Sequence, residues 1–241
     1  MVLDFHSHLL PGIDDGSESI DTSIMMLRMW RQQGVKHIVA TPHFYADKMS
    51  PSEFIATRDK SYEALTSRIN SISSSTSEGF PIIGLGAEVY FYDGISHSEE
   101  LESLCFMGTN LLLLEMPFCK WNDRIIDEVE AIYRTTDIIP VIAHLERYME
   151  EPKKYIKRLL SMGIPIQCNA EYLLNPKTSR KALKFFEKGV VQFLGSDAHN
   201  MSNRIPNIGP AVSLLESKLG SDFVSSFEKR QLEIIKENMV I

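Results

Sequence analysis

The sequence predicts an α/β fold of repeated strand–helix units, for three reasons. A helical stretch, a glycine and a short β-branched run recur at residues 31–40, 162–166 and 188–191. Glycine ends a helix at low cost by adopting the left-handed conformation, and buried parallel strands are continuous apolar runs. The segments between successive runs, of about 11 residues or more, are long enough for crossover helices. The chain of 241 residues is long enough for one large core, so we expect a single domain over residues 1–241.

Strands and helices are predicted to alternate along the chain. The seven predicted strands lie at residues 2–6, 36–41, 82–87, 110–115, 139–143, 165–169 and 190–195. The predicted helices lie at residues 18–33, 52–73, 122–136, 152–162, 176–188 and 221–237.

Two polar stretches receive structural interpretations only. Ser71 to Gly79 contains five serines and is predicted to be a flexible loop within one crossover. The basic run from Lys177 to Lys184 is interpreted as the solvated face of a helix that begins at Pro176, and no function is assigned to it.

Composition limits the class of protein. Hydrophobic content of 44% and charged content of 24% are typical of a folded globular protein. The net charge of −7 argues against broad nucleic-acid binding. The chain starts without a basic, apolar leader and has no run of about 18 apolar residues, so we expect no membrane insertion and a cytoplasmic location. Cys105, Cys119 and Cys168 are odd in number and form no Cys-x-x-Cys pair, which favours free thiols in a reducing compartment.

Potential metal ligands lie at the carboxyl ends of the predicted strands. An extended chain turns alternate side chains to the same side, so His6 and His8 can bind one ion. Divalent cations take imidazole and carboxylate ligands from separate segments. Because βα barrels build their active sites at this rim, we favour a barrel, with a doubly wound open sheet as the alternative. The candidates at strand ends are His6, His8, His43, Glu88, Glu115, His144, Asp197 and His199.

Several motifs together resemble a known superfamily. They are His6-Ser7-His8, Asp14-Asp15-Gly16, Thr41-Pro42-His43, Gly86-Ala87-Glu88, Glu115, residues 143–148, and residues 196–200 with Arg204. This set resembles the polymerase-and-histidinol-phosphatase superfamily. Within it, the chain is most similar to the bacterial manganese-dependent tyrosine-protein phosphatases of capsule and exopolysaccharide loci. The resemblance runs from residue 3 to about residue 206.

The resemblance implies a distorted seven-stranded (β/α)7 barrel, similar to a TIM barrel, that holds three divalent ions, usually manganese. Zinc or iron would also suit the mixed ligand set. Asp15 is a ligand candidate only through the resemblance, and Asp14 either supports the metal shell or forms a solvated turn. The implied groups are His6, His8, Glu88 and Asp197 around one ion, Glu88, Glu115 and His144 around a second, and Asp15, His43 and His199 around a third.

The implied reaction is hydrolysis of a phosphomonoester. Bound divalent cations lower the pKa of water from 15.7 to about 7, and the resulting hydroxide is the expected nucleophile. Arg147 and Arg204 are predicted to be catalytic, substrate-binding residues that hold the phosphoryl oxygens. Surface ion pairs with Glu146 or Asp197, or simple solvent exposure, are the alternatives for these arginines.

A phosphotyrosine ester suits this site because its leaving phenol has a pKa near 10. We therefore assign no general acid, although His43 or His199 could serve if uncoordinated. Phe118 and Trp121 either stack on the substrate ring or cover the barrel rim.

Three residues outside these roles have plain interpretations. His37 and His97 are interpreted as structural or surface residues. Glu146 is expected to orient a neighbouring side chain.

The resemblance implies a phosphotyrosine protein as partner, namely the tyrosine-rich tail of a bacterial autokinase in polysaccharide export. Oligomeric state is left open. The alternatives are a small-molecule phosphatase of the histidinol-phosphate type and a non-catalytic metal-binding regulatory scaffold, and an exonuclease is disfavoured by the acidic charge. A cysteine-dependent phosphatase is excluded, because the positions six residues after the three cysteines are Leu111, Ile125 and Leu174.

Overall fold

Nine parallel strands fill seven positions around a ring in the computed structural model, which describes residues 2–240. The strands are β1 (Val2–Ser7), β2 (Val35–Ala40), β3 (His43–Phe44), β4 (Ile82–Leu85), β5 (Glu88–Tyr90), β6 (Leu111–Glu115), β7 (Ile139–Ile142), β8 (Gln167–Asn169) and β9 (Phe193–Gly195). β3 continues β2, and β5 continues β4. Pairing crosses these two breaks because Gly86 N donates to Ala40 O (2.9 Å) and Glu88 N donates to Pro42 O (3.0 Å).

The ring closes at two seams. His8 N donates to Ala198 O, and Asp197 N donates to His6 O, each at 2.9 Å, which joins β1 to the end of β9. Ile142 pairs in parallel with Ile166, which joins β7 to β8. The predicted α/β barrel is therefore confirmed, and the open-sheet alternative is wrong.

Helices cover the outside of the ring. They are α1 (Ile20–Gln32), α2 (Pro51–Thr76), α3 (Asp123–Thr135), α4 (Lys153–Ser161), α5 (Ala170–Leu174), α6 (Ser179–Glu187), α7 (Ile208–Leu219) and α8 (Ser221–Glu237). Short 3-10 helices lie at Ile95–His97, Leu101–Leu104 and Leu145–Tyr148. Within residues 2–240, every helix is too short or too polar to cross a membrane.

The loop predicted from Ser71 to Gly79 is wrong over residues 71–76, because α2 continues to Thr76, and only residues 77–79 lie outside the helix. The hydroxyl groups of Ser75 and Thr76 donate back to Ile72 O at 3.0 and 2.8 Å. Serine and threonine that bond to the preceding turn do not need to leave the helix. Ile72 is buried, so this last turn also remains packed against the core.

One further boundary and one further helix differ from the prediction. The helix expected from Pro176 starts at Ser179, after a turn. α7 was not predicted, and it contains the dipeptide Gly209-Pro210, which is more typical of a loop. In α7 this proline lies in the first helical turn, where a backbone N–H is not needed.

An apolar cluster lies beneath the carboxyl ends of the strands. Phe5 of β1 stacks on Phe193 of β9, with ring centroids 3.7 Å apart. Leu111 and Leu113 of β6 belong to the same cluster, and Glu115 follows on the same side of the strand. The polar rim described below therefore rests on a packed apolar floor.

Candidate metal centre

The strand ends bring all nine predicted ligands together. His6, His8 and His144 are fully buried, whereas the Asp15 side chain is 65% exposed. His144 and Asp197 have positive φ angles of 30° and 53°, which are uncommon for residues other than glycine and are found at functional sites. The nine residues are His6, His8, Asp15, His43, Glu88, Glu115, His144, Asp197 and His199, and each has an imidazole nitrogen or carboxylate oxygen within 4.0 Å of another member.

The first group surrounds the two nitrogens of the His-x-His motif. His6 Nε2 and His8 Nε2 are 3.1 Å apart. Glu88 Oε2 lies 3.3 and 3.2 Å from these nitrogens, and Asp197 Oδ1 lies 3.6 and 3.4 Å from them. Four lone-pair donors therefore face one point.

The second group lies on the other side of Glu88. His144 Nε2 is 2.8 Å from Glu88 Oε1 and 3.3 Å from Glu115 Oε1. His43 Nδ1 also approaches this group, at 2.9 Å from Glu88 Oε2 and 4.0 Å from Glu115 Oε2. The geometry adds His43 to the group that the resemblance implies.

The third group lies at the outer edge. Asp15 Oδ1 is 3.5 Å from His43 Nε2 and 3.4 Å from His199 Nε2. One potential ligand atom from each of these residues and from His8 lies within 4.8 Å of the others. His8 therefore borders two groups.

The donor set fits divalent metal ions. His43 Nδ1, Glu88 Oε2 and His199 Nε2 are buried and have no hydrogen-bond partner among the described residues. Buried polar atoms are almost always satisfied, so each such atom calls for an explanation. These atoms face the ligand groups described above, and cations bound in those groups would satisfy all of them.

In four of the clustered histidines, Nδ1 lies within hydrogen-bonding distance of a polar atom outside the metal groups. An acceptor at Nδ1 keeps the proton there and leaves Nε2 free to bind a metal. The pairs are His6 Nδ1 with Gln167 Oε1 (3.3 Å), His8 Nδ1 with Asp14 Oδ2 (2.7 Å), His144 Nδ1 with Tyr148 Oη (3.3 Å), and His199 Nδ1 with Asp197 O (2.9 Å).

Asp14 is one of these supporting residues. Its side chain is only 6% exposed, and its Oδ2 also accepts a hydrogen bond from His43 N at 3.0 Å. Burial raises the pKa of Asp14, but hydrogen bonds from His8 and backbone amides outweigh burial and hold the pKa below its usual range. The solvated-turn interpretation of Asp14 is therefore wrong.

Protonation of the cluster reflects burial and charge. Burial and the nearby His8 lower the pKa of His199 to about 3, so this imidazole is neutral at pH 7. Burial also lowers the pKa of His144, but hydrogen bonds with Glu115 and Glu88 outweigh it and raise the pKa to about 9. For Glu88, burial raises the pKa, but the electrostatic interaction with His6 and hydrogen bonds from imidazoles hold the pKa well below its usual range.

Arg147 and Arg204 both contact Asp197. Arg147 Nη2 is 2.5 Å from Asp197 Oδ2, and Arg204 Nη2 is 2.7 Å from Asp197 Oδ1. Their side chains are 34% and 36% exposed, and both line a cavity of about 280 Å³ beside the cluster. Glu146 instead accepts a hydrogen bond from Asn169 N at 3.1 Å, as expected for an orienting residue.

An aromatic arc, defined as Tyr45, Tyr90, Phe118 and Tyr148, borders the cluster. Its successive ring centroids are 5.7, 6.4 and 5.9 Å apart. Tyr45 contacts the His43 ring at 5.3 Å, and Tyr148 contacts the His144 ring at 5.7 Å, so the arc starts and ends at predicted ligands. Phe118 is 61% exposed and available to a substrate.

Trp121 is not available in this way. It is buried, packs against Tyr148 with centroids 5.2 Å apart, and donates from Nε1 to Pro117 O at 3.1 Å. The rim-covering interpretation applies to Trp121. His37 is half-buried and His97 is exposed, and both lie outside the cluster.

Sequence reasoning missed Gln167, Asn169, Tyr45 and Tyr90. Two polar residues in the strand predicted at 165–169 were a usable signal, because a buried parallel strand is normally apolar. Tyr90 follows Glu88 by two positions in a strand, which places both on one side.

Comparison with known proteins gives a family. A family model for capsular polysaccharide synthesis, CpsB/CapC, matches residues 2–235. Tyrosine-protein phosphatase CpsB of Streptococcus pneumoniae is 28% identical over 232 residues, which are 91% of this chain and 92% of that protein. Tyrosine-protein phosphatase YwqE of Bacillus subtilis is 29% identical over 92% of this chain and 86% of its own length.

One solved structure agrees with this family, and a second is similar in fold. One from the crystal structures of YwqE and CpsB, described as unique metal-dependent tyrosine phosphatases, has a TM-score of 0.81 at 25% identity and covers 99% of this chain and 96% of its own. A β-aspartyl dipeptidase from Fervidobacterium islandicum has a TM-score of 0.56 at 16% identity, covers 98% of this chain and 75% of its own, and is similar in fold alone.

Proposed function

Because the chain belongs to the CpsB/CapC family of capsular polysaccharide synthesis, we propose that it is a metal-dependent tyrosine-protein phosphatase of capsule synthesis. The observation that carries this proposal is the cluster of imidazoles and carboxylates at the barrel rim, with two arginines and an exposed aromatic side chain beside it.

We infer that three divalent ions, with manganese as the first candidate, are held by the nine clustered residues. His6, His8, Glu88 and Asp197 would hold one, Glu88, Glu115 and His144 a second, and Asp15, His43 and His199 a third. The unpartnered buried Oε2 of Glu88 and Nε2 of His199 support this assignment. The unpartnered Nδ1 of His43 faces Glu88 and Glu115, so His43 borders the second group as well as the third. When bound, the ions would supply positive charge for phosphoryl oxygens and lower the pKa of water.

Arg147 and Arg204 are proposed to bind the phosphoryl oxygens. Both guanidinium groups contact the acidic rim and border the same cavity. A guanidinium group can form two charge-assisted hydrogen bonds with a phosphate, and these are stronger than hydrogen bonds between neutral groups. Their partial exposure gives a substrate access to them.

The aromatic arc is proposed to receive the tyrosine ring. Phe118 lies in the loop after β6, which ends at Glu115, so a ring on Phe118 remains near the cluster. A phenolate leaves without a strong acid because the pKa of phenol is near 10. With a pKa of about 3, His199 is deprotonated at pH 7 and is a poor proton donor.

The proposed partner is the phosphorylated, tyrosine-rich tail of a bacterial autokinase, and the proposed location is the cytoplasm. The family's role in capsular polysaccharide synthesis supports the partner. Three free cysteines, two of them buried, support a reducing compartment.

Phosphate release measures the proposed activity directly. With manganese, we expect faster release from a phosphotyrosine peptide than from histidinol phosphate or a phosphoserine peptide. A chelator should abolish release. A His6→Ala, His8→Ala double variant should lose activity, whereas the matched double variant His37→Ala, His97→Ala should retain it.

Other results would redirect the assignment. Preference for histidinol phosphate would indicate a small-molecule phosphatase. Full manganese binding without hydrolysis of any ester would indicate a regulatory scaffold. Release that survives both the chelator and the His6→Ala, His8→Ala change would contradict a metal mechanism.

A further inference from the structure

β8 differs from the other six strand positions of the barrel. Each of the others ends in or beside at least one of the nine clustered residues, whereas β8 (Gln167–Asn169) contributes none. It places two amide side chains there, Gln167 and Asn169, which are 0% and 7% exposed. Buried amides in a three-residue strand need a reason, because they add polar groups that must be satisfied.

Gln167 contacts two ligand candidates through one oxygen. Its Oε1 accepts a hydrogen bond from His144 N at 2.7 Å and lies 3.3 Å from His6 Nδ1. The same oxygen therefore fixes the backbone where His144 has a positive φ and faces the rear nitrogen of His6.

Asn169 contacts a third ligand candidate, Asp197. Its Nδ2 donates to Asp197 Oδ2 at 2.9 Å, and its Oδ1 accepts from Gln167 Nε2 at 2.8 Å. Its backbone N donates to Glu146 Oε1, which ties the residue to the turn that carries Arg147.

These hydrogen bonds run in one direction only. An ionised Asp197 can only accept, so Asn169 must present its NH2 group to it and its oxygen to Gln167. Gln167 must then present its own NH2 group to Asn169 and its oxygen to His6. A carbonyl oxygen at His6 Nδ1 requires a proton on that nitrogen, which leaves the Nε2 lone pair facing Glu88 and His8.

We propose that Gln167 and Asn169 form a positioning amide pair that sets the tautomer of His6 and the orientations of His144 and Asp197 for metal binding. The pair touches ligand residues and not the substrate, so its role is positioning. The proposal rests on the proposed function only in requiring that the cluster binds metal.

Gln167 and His6 both pack closely against the backbone of Gly195. A Cβ atom on Gly195 would lie 2.8 Å from Gln167 Nε2 and 2.6 Å from His6 Cβ. Glycine at this position therefore allows the amide to reach His6.

Manganese affinity of the purified full chain tests the proposal. We expect Gln167→Leu to weaken binding roughly 100-fold and Gln167→Glu roughly 10-fold, in the range found for residues that support metal ligands. Glutamate keeps an oxygen for His6 and His144 but has no N–H for Asn169, so it should rescue part of the loss. Calorimetric titration and metal content after desalting provide the readouts, with circular dichroism to confirm folding.

Gln231→Leu is the matched control. Gln231 is also a buried glutamine, but it lies on α8, and its Nε2 has no hydrogen-bond partner among residues 2–240. The Gln231→Leu variant should bind manganese with the same affinity as the unchanged chain. In the zinc-loaded protein, ¹⁵N spectra should show His6 protonated at Nδ1, and this signal should change in Gln167→Leu.

Several results would overturn the proposal. Unchanged manganese affinity in folded Gln167→Leu would do so, as would an equal loss in Gln231→Leu. If Gln167→Leu does not fold, unchanged affinity in Gln167→Glu would have the same meaning. Metal binding without phosphotyrosine hydrolysis would reject the proposed function but leave the amide pair standing.

Discussion

At the scale of single residues, the clustered histidines were predictable from the sequence, but most of the contacts that their Nδ1 atoms make were not. His6, His8, His144 and His199 were predicted from the sequence because potential ligands recur at strand ends. The atoms behind them follow no motif. Gln167 is 161 positions from His6, and only the closed ring brings the two together. Asp14, six positions from His8, was within reach of sequence reasoning but could not be told from a solvated turn.

Phe118 offers a test of ring recognition. We expect Phe118→Ala to raise KM for a phosphotyrosine peptide about 2- to 10-fold, because an aromatic pair contributes about 0.5–1.5 kcal/mol. Hydrolysis of an alkyl phosphate should not change. Steady-state kinetics on both substrates measures the difference.

Met107→Ala is the control for that substitution, because Met107 is also an exposed apolar side chain but lies before β6, away from the rim. An equal loss on aryl and alkyl esters in Phe118→Ala would argue against stacking.

The three cysteines should differ in reactivity. Burial raises the pKa of Cys105 to about 12 and holds that of Cys168 well above its usual range, whereas Cys119 is exposed. Because the thiolate is the reactive form, we expect a chromogenic disulfide reagent to label one thiol rapidly in the native protein and all three after denaturation. Cys119→Ser should remove the rapid phase. Rapid labelling of a second thiol would show that the buried cysteines are accessible.

At the scale of elements, long apolar runs made the strands predictable, whereas their breaks were not. The run at residues 82–87 predicted one strand, but β4 ends at Leu85 and a second strand, β5, begins at Glu88. α5 spans only Ala170–Leu174, which is too short for a helical period to be recognised in the sequence. α7 was hidden by Gly209-Pro210, since the same dipeptide suits a loop or a first helical turn.

Gly195 should be intolerant of any side chain. We expect Gly195→Ala to lower the free energy of unfolding by about 1–3 kcal/mol, because the added methyl group overlaps His6 and Gln167. Urea denaturation measures the change.

Gly84→Ala in β4 is the matched control. The nearest atom to its added Cβ would be Ile38 O at 3.9 Å, so we expect a change of no more than about 1 kcal/mol. Equal effects at both glycines would mean that close packing at His6 is not the cause.

At the scale of the whole molecule, strand counting could not distinguish a closed ring from an open sheet. Closure depends on β1 pairing with the end of β9, and no local pattern encodes that contact. The placement of potential ligands at the carboxyl ends of the strands was the stronger sequence signal. It predicted a common rim before any pairing was known, because parallel strands share a direction.

Metal binding should stabilise the whole chain. At a free manganese concentration of 100 times Kd, one site adds about 2.7 kcal/mol, which corresponds to a rise in Tm of about 5–10 °C for a chain of this length. Thermal melts with manganese and with a chelator measure it. The Tm of the His6→Ala, His8→Ala variant should rise much less with manganese. An unchanged Tm for the unsubstituted chain in the presence of manganese would contradict the proposed centre.

The pairing of β1 with the end of β9 also determines how early during synthesis the barrel can close. β1 leaves the ribosome about 10 to 40 s before β9, at synthesis rates of about 5–20 residues per second. During that interval one edge of β1 lacks its neighbour, and such edges invite pairing with other chains. His6 and His8 are likewise synthesised well before Asp197 and His199, with which they cluster in the folded chain. The complete proposed centre can therefore form only after β9 and His199 have been synthesised, and a chain cut short before β9 would leave an incomplete centre and an open edge.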